Sequence, residues 1–135
     1  AVDVLLAPAG RAGLQTVVRT DAFSATADRA LDSLRAYVWP GLHYAAPEEL
    51  ARAVDRSTNL RIVERTSAPE HLEASLRLQR MVFDSHLREA AADGYDAVFR
   101  RLWTWQFALR EALARLGMID VSQMVLARRS RRGRR

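Results

Sequence analysis

An α/β unit with few strands is the architecture this sequence predicts. Three observations predict it. Segments of strand character alternate with helical segments in the order strand, helices, strand, helices, strand. Two long stretches, from Pro69 and from Tyr95, carry apolar residues at helical spacing. The chain's last ordered run, Ile119 to Ala127, holds Met124-Val125-Leu126, which suggests a strand buried on both faces. Two long helices directly before a terminal strand suit attachment to a larger sheet.

Residues 11–18 read as a strand that follows a Pro8-Ala9-Gly10 turn. Residues 25–36 place Ala27, Ala30, Leu31 and Leu34 on one helix face, and Tyr37-Val38-Trp39-Pro40-Gly41 ends that helix. Pro47 with Glu48 and Glu49 opens the next helix, which buries Leu50 and Val54 and ends near Asn59. Residues 60–65 form a second strand. Pro69 opens a helix with Leu72, Leu76, Phe83, Leu87 and Ala90 on one face, stopped by Asp93-Gly94. The helix over about 95–116 has a stripe of Val98, Leu102, Trp105, Leu109, Ala112 and Leu116, widened by Phe99 and Trp103. Gly117 stands where a helix-ending glycine belongs.

The chain has 135 residues, enough for one modest core. It has no cysteine, which excludes disulfides and thiolate metal sites. No apolar run nears the ~20 residues of a membrane span. These features predict a cytoplasmic location. All 21 basic residues are arginine, and six of them lie within 128–135. Without those six, 15 arginines face 16 acids, so a near-neutral body over 1–127 carries a basic tail over 128–135. Such a tail is expected to be disordered; it suits weak nonspecific contacts with nucleic acid or anionic phospholipid, and equally a solvated extension with no specific partner.

Four segments together carry a resemblance. Leu6-Ala7-Pro8-Ala9-Gly10-Arg11 precedes Leu14-Gln15-Thr16. Tyr37-Val38-Trp39-Pro40-Gly41 is followed by Leu42. His71-Leu72-Glu73-Ala74-Ser75-Leu76 opens a helix. Phe99-Arg100-Arg101-Leu102-Trp103-Thr104-Trp105-Gln106-Phe107 precedes Ile119-Asp120-Val121-Ser122-Gln123-Met124-Val125-Leu126. In this order they resemble the carboxy-terminal half of the cyclopropane-fatty-acid synthase family, which includes the mycolic acid cyclopropane synthases. These are S-adenosylmethionine-dependent methyltransferases. The resemblance implies strands 5, 6 and 7 of a class I methyltransferase sheet, ordered 3-2-1-4-5-7-6 with strand 7 antiparallel. It also implies that 1–127 is the second half of such a domain, a fragment lacking the glycine-rich turn that holds the cofactor. This chain alone is then expected to bind no S-adenosylmethionine and to be inactive.

The implied reaction moves a methyl group from a sulfonium to an alkene carbon of an unsaturated acyl chain, after which a bicarbonate ion takes a proton. In the family a Glu, a His and a Tyr hold that ion. The Glu position is outside this chain, the His position is Gln15 and the Tyr position is Leu72. Gln can still donate a hydrogen bond to an anion; Leu cannot. The residues expected to line the acyl substrate are Tyr37, Trp39, Pro40, Gly41, Trp103 and Phe107. Implied partners are an acyl lipid at an anionic membrane surface, the missing amino-terminal half and a second copy of the chain. The other reading is a non-catalytic remnant that binds a partner half, or polyanions through its tail. Aromatic residues at helical spacing also serve simply as core, and His43 and Tyr44, which follow the Trp-Pro-Gly turn, suit either a substrate-facing position or, more readily, a surface loop.

Overall fold

The computed structural model describes residues 2–129. Ten elements follow one another: α1 (Val2–Leu5), β1 (Arg11–Arg19), α2 (Ala25–Ala30), α3 (Asp32–Tyr37), α4 (Pro47–Ser57), β2 (Leu60–Ser67), α5 (Pro69–Ser85), α6 (Leu87–Ala92), α7 (Ala97–Arg115) and β3 (Ile119–Arg128). The strands form one sheet in the order β1-β3-β2. β3 lies between the other two and is antiparallel to both. This is the 5-7-6 end of the expected sheet, with the last strand inserted and reversed.

The two faces of β3 differ because successive side chains point to opposite sides. Ile119 and Val121 enter a core with Leu31 and Leu34, Leu72 and Leu76 of α5, and Leu109, Leu113 and Ala114 of α7. On the other face Met124 and Leu126 are buried, with Leu60 of β2 and Val18 of β1. The expected two-sided burial of β3 is therefore present. On β2 a bulge between Ile62 and Glu64 leaves Val63 exposed.

Helix ends are set by side chains and one glycine. Ser24 Oγ accepts from Ala27 N at 3.1 Å, and Asp96 Oδ1 accepts from Phe99 N at 2.7 Å. Changing either residue to alanine is expected to cost about 1 kcal/mol. Urea unfolding of Ser24→Ala and Asp96→Ala checks this, and no shift in midpoint would show the cap to be idle. α7 ends at Gly117, whose φ of +66° suits a residue without Cβ. The Met118 N–H donates to Leu113 O and the Gly117 N–H to Ala114 O, both at 2.9 Å, closing a Schellman turn.

Two helices expected to be continuous are split. The span 25–36 breaks at Leu31, whose N–H bonds to Asp28 O in a tight turn. Arg35 takes that same carbonyl at 3.0 Å and also grips the Asp28 and Asp32 carboxylates. The long helix from Pro69 breaks at His86. There Ser85 Oγ and His86 Nδ1 both meet Val82 O at 2.7 Å, while the His86 N–H turns to Phe83 O. Side chains have displaced a helical backbone bond.

Other expectations also shift. Leu50 and Val54 are half-buried rather than buried. The buried residues of α7 are Gln106, Phe107, Leu109, Glu111, Leu113 and Ala114, whereas Val98, Trp105, Ala112 and Leu116 are exposed. Tyr44 is buried, not on the surface. The last strand continues to Arg128, whose guanidinium donates to the carbonyls of Asp3 and Leu6. Arg129 bonds to Leu60 O and Asp55. These two residues thus belong to the folded body. The tail expected to be disordered otherwise lies outside the described residues.

Candidate functional site

A cleft of about 560 Å³ opens beside the carboxy-terminal half of β1. Its walls are Thr16 and Val17 of β1, the segment from Trp39 to Tyr44, and Arg110 of α7. The segment is folded locally: Trp39 N–H bonds to Leu34 O at 2.7 Å and Leu42 N–H to Trp39 O at 2.9 Å. Arg35 Nε holds Leu42 O at 3.1 Å. The Trp-Pro-Gly turn is thereby pinned to the end of α3.

Aromatic rings extend this wall. Trp39 lies 6.5 Å from Trp103, centre to centre. Tyr95, Phe99 and Trp103 are four residues apart and stack at 4.6 Å in each pair. The Arg110 guanidinium carbon sits 5.3 Å from the Trp39 ring centre. Its Nε donates to Tyr44 Oη at 3.1 Å and its Nη1 to Gln106 Oε1 at 3.4 Å. Tyr44 is held edge-on by Phe23 at 6.4 Å, and Gln106 is 2% exposed. The base of the cleft is therefore rigid and polar beneath aromatic walls.

The structure brings Trp39, Pro40, Gly41 and Trp103 together, as grouped from sequence. Tyr37 does not join them; it is 74% exposed. Phe107 is buried 6.0 Å from Phe83 and borders a second groove of about 750 Å³ along α5. Gln15 is exposed on β1, opposite Gln123, whose Nε2 donates to Gln15 Oε1 at 2.8 Å. That bond leaves the Gln15 amide hydrogens for other partners. Leu72 is a core side chain. Arg110 and Gln106 were missed. Their signal was present in spacing: Gln106 and Arg110 follow Trp103 by three and seven residues, on one helical face.

A smaller polar cleft of about 370 Å³ lies at the Asp120 end of β3, bordered by Arg19, Arg65, Ser67, Asp120 and Ser122. Asp120 is buried, and Ser67 donates to its Oδ2. Asp120 Oδ1 and Ser122 Oγ have no protein partner among the described residues.

Among the described residues, the strand-to-helix turns do not fit a methyl-donor cradle. The turn from β1 to α2 is Thr20-Asp21-Ala22-Phe23-Ser24, and Ala68 alone joins β2 to α5. Neither strand-to-helix turn contains the glycines that let a backbone close on a nucleotide. Gly10, Gly13, Gly41, Gly94 and Gly117 all lie elsewhere.

Sheet order, reversed central strand and helix layer match the carboxy-terminal part of the fold of solved cyclopropane synthases. No family model matches the chain. It is 29% identical over 128 residues to the tuberculostearic acid methyltransferase UfaA1 of Mycobacterium tuberculosis, covering 95% of this chain and 30% of the relative. It superposes on the cyclopropane synthase MmaA2 from Mycobacterium tuberculosis with a TM-score of 0.80 and 24% identity, over 94% of this chain and 47% of that one. The mycolic acid cyclopropane synthase CmaA1, complexed with SAH and CTAB, superposes with a TM-score of 0.79 and 19% identity, over 91% and 46%. The chain thus spans about half of these solved structures and less than a third of the curated relative. Among the described residues no helix is long and apolar enough to cross a membrane.

Proposed function

We propose that this chain forms the acceptor side of an S-adenosylmethionine-dependent C-methyltransferase of the cyclopropane-fatty-acyl-phospholipid synthase type, acting on an unsaturated acyl chain or a related lipid. The observation that carries the reading is the aromatic cleft at the carboxy-terminal half of β1, set in a β1-β3-β2 sheet. In open α/β sheets, ligands bind outside the carboxyl ends of the strands. The apolar part of the wall, Val17, Trp39, Pro40 and Leu42, suits an acyl segment. The Trp103 ring, farther along the wall, also favours positive charge developing on carbon. Gln15, with its carbonyl engaged by Gln123, keeps an amide able to hold an anion or a water. The cofactor cradle belongs to a partner half in this reading.

The test combines this chain with an amino-terminal half that carries a glycine-rich strand-turn-helix. Labelled methyl transfer to an unsaturated phospholipid is followed. Transfer is expected only with both halves present. Trp39→Ala or Trp103→Ala is expected to reduce it about tenfold or more, the equivalent of one buried aromatic contact. Absence of transfer with both halves folded and associated would overturn the reading.

A further inference from the structure

We propose that Arg110 is an anion-recognition residue within the aromatic cleft, taking the carboxylate or phosphate at the polar end of an acyl ligand. The proposal deepens the acceptor-side reading above and rests on it for the acyl part of the ligand.

Charge balance is the first observation. Arg19, Arg35 and Arg80 each meet a carboxylate within 3 Å. Arg110 forms no ion pair among the described residues, although it is half-buried and lines a cleft. Its contacts are neutral: a phenol oxygen, an amide oxygen and an indole face. A guanidinium has five N–H donors. Two are used, by Tyr44 and Gln106, which leaves three for a ligand. A positive charge withdrawn from water without a counter-charge favours an anion beside it.

The build of the site is the second. Tyr44 and Gln106 are buried and hold Nε and Nη1 from one side, while the Trp39 ring lies against the guanidinium. The fork is thus aimed before any ligand arrives. Planar, oriented guanidinium groups match carboxylate and phosphate oxygens in pairs. The rest of the lining is largely apolar, so the fitting ligand has an apolar body and one anionic end. A volume of about 560 Å³ admits a small molecule or an acyl segment, not a duplex or a folded chain.

The position of Arg110 also orders such a ligand. Its charge repels a carbocation, so the reacting double bond belongs away from it along the aromatic wall. The anionic end then fixes how far along the chain the reacting carbon lies.

Tryptophan fluorescence and calorimetry on the purified chain test this with four probes below their micellar concentrations. Oleate and oleoyl lysophosphatidic acid carry the two anionic heads, oleyl alcohol carries none, and inorganic phosphate lacks the chain. Saturable one-to-one binding of an anionic acyl probe is expected, about tenfold or more tighter than oleyl alcohol. Which head binds tighter separates a free acid from a phospholipid source. If inorganic phosphate binds as tightly as either, the site takes a free anion and the acyl part of the proposal falls. Arg110→Gln is expected to remove the preference for anion over alcohol, and Arg110→Lys to retain part of it. A merely structural role would weaken all acyl probes alike and leave that ratio unchanged, which would overturn the proposal. So would equal binding of oleate and oleyl alcohol by the unaltered chain, a result that needs no variant to fold. Anion-selective binding without methyl transfer in the two-half assay would sink the enzymatic reading and leave this subsite standing. Transfer without anion selectivity would do the reverse.

Discussion

Glu111→Ala is expected to destabilise the fold by about 2–3 kcal/mol, below the full cost of breaking a buried ion pair because its partners keep some water. Glu111 is a carboxylate 5% exposed, on the face of α7 that meets α5. Arg80 Nε of α5 donates to it at 2.8 Å, and Arg115 Nη2, one turn on, at 2.9 Å. Arg115 Nε also reaches Glu73 at 3.0 Å, and Arg80 lies 3.8 Å from Asp84. Charges of alternating sign thus clamp the two long helices together. Removing Glu111 leaves two arginines facing each other across an apolar contact.

The same residue gives a pH test. The hydrogen bond from Arg80 holds the Glu111 carboxyl below its ordinary value, burial opposes this, and the charges of Arg80, Arg115 and Arg77 add to the lowering. A lowered folded value means that the unfolded chain binds the proton more readily. The stabilisation is complete above the unfolded value, near 4.5, and is lost as pH falls through the folded one. Urea midpoints of the unaltered chain and Glu111→Gln should therefore differ most at neutral pH and converge below about pH 4.5. Asp28 and Glu49 are lowered too, but act equally in both proteins and cancel in the difference. A gap that stays constant to pH 3 would show that the Glu111 charge does not matter.

What sequence could disclose depended on how local the cause was. All three strands, the Pro-led starts of α4 and α5 and the Gly117 stop rest on residues within a turn of the feature. Each was legible. The breaks at Leu31 and His86 come from Arg35, Ser85 and His86 capturing backbone carbonyls, a choice that hydrophobic spacing does not register. The α7 stripe was displaced because Gln106 and Glu111 are buried, and burial of these polar groups depends on residues distant in sequence: Arg80 bonds Glu111 directly, and Tyr44 anchors the Arg110 that donates to Gln106. At the candidate site the Trp39-Pro40-Gly41 turn and Trp103 were legible from the resemblance. Spacing puts Arg110 on the helical face of Trp103, but the lack of a counter-charge that singles it out from the other arginines appears only when the chain is folded.

Self-association of the isolated chain is the remaining expected result, with a large effect on mass. β1 is nine residues long and pairs with β3 on one side only. Its other edge is met at the end, where the Arg19 N–H donates to Ala45 O, but over the rest it carries backbone donors and acceptors open to a further strand, beside Leu14, which is 38% exposed. Natural edges are blunted by lysine, proline or a covering segment. Arg11 and Arg19 stand only at the ends of this one. α5 adds Leu78, Met81 and Val82, each more than half exposed along the second groove or beside it. In the two-half reading both surfaces are candidates for the partner. Light scattering across concentration should give a mass above the monomer, falling when a partner half is supplied. Leu14→Lys places a charge on the β1 edge and is expected to return the mass to that of a monomer without lowering the melting temperature. Association that survives Leu14→Lys and disappears in Val82→Glu would move the contact to α5. A monodisperse monomer at high concentration with a sharp cooperative melt would show that neither surface seeks a partner, and the two-half reading would lose its structural reason.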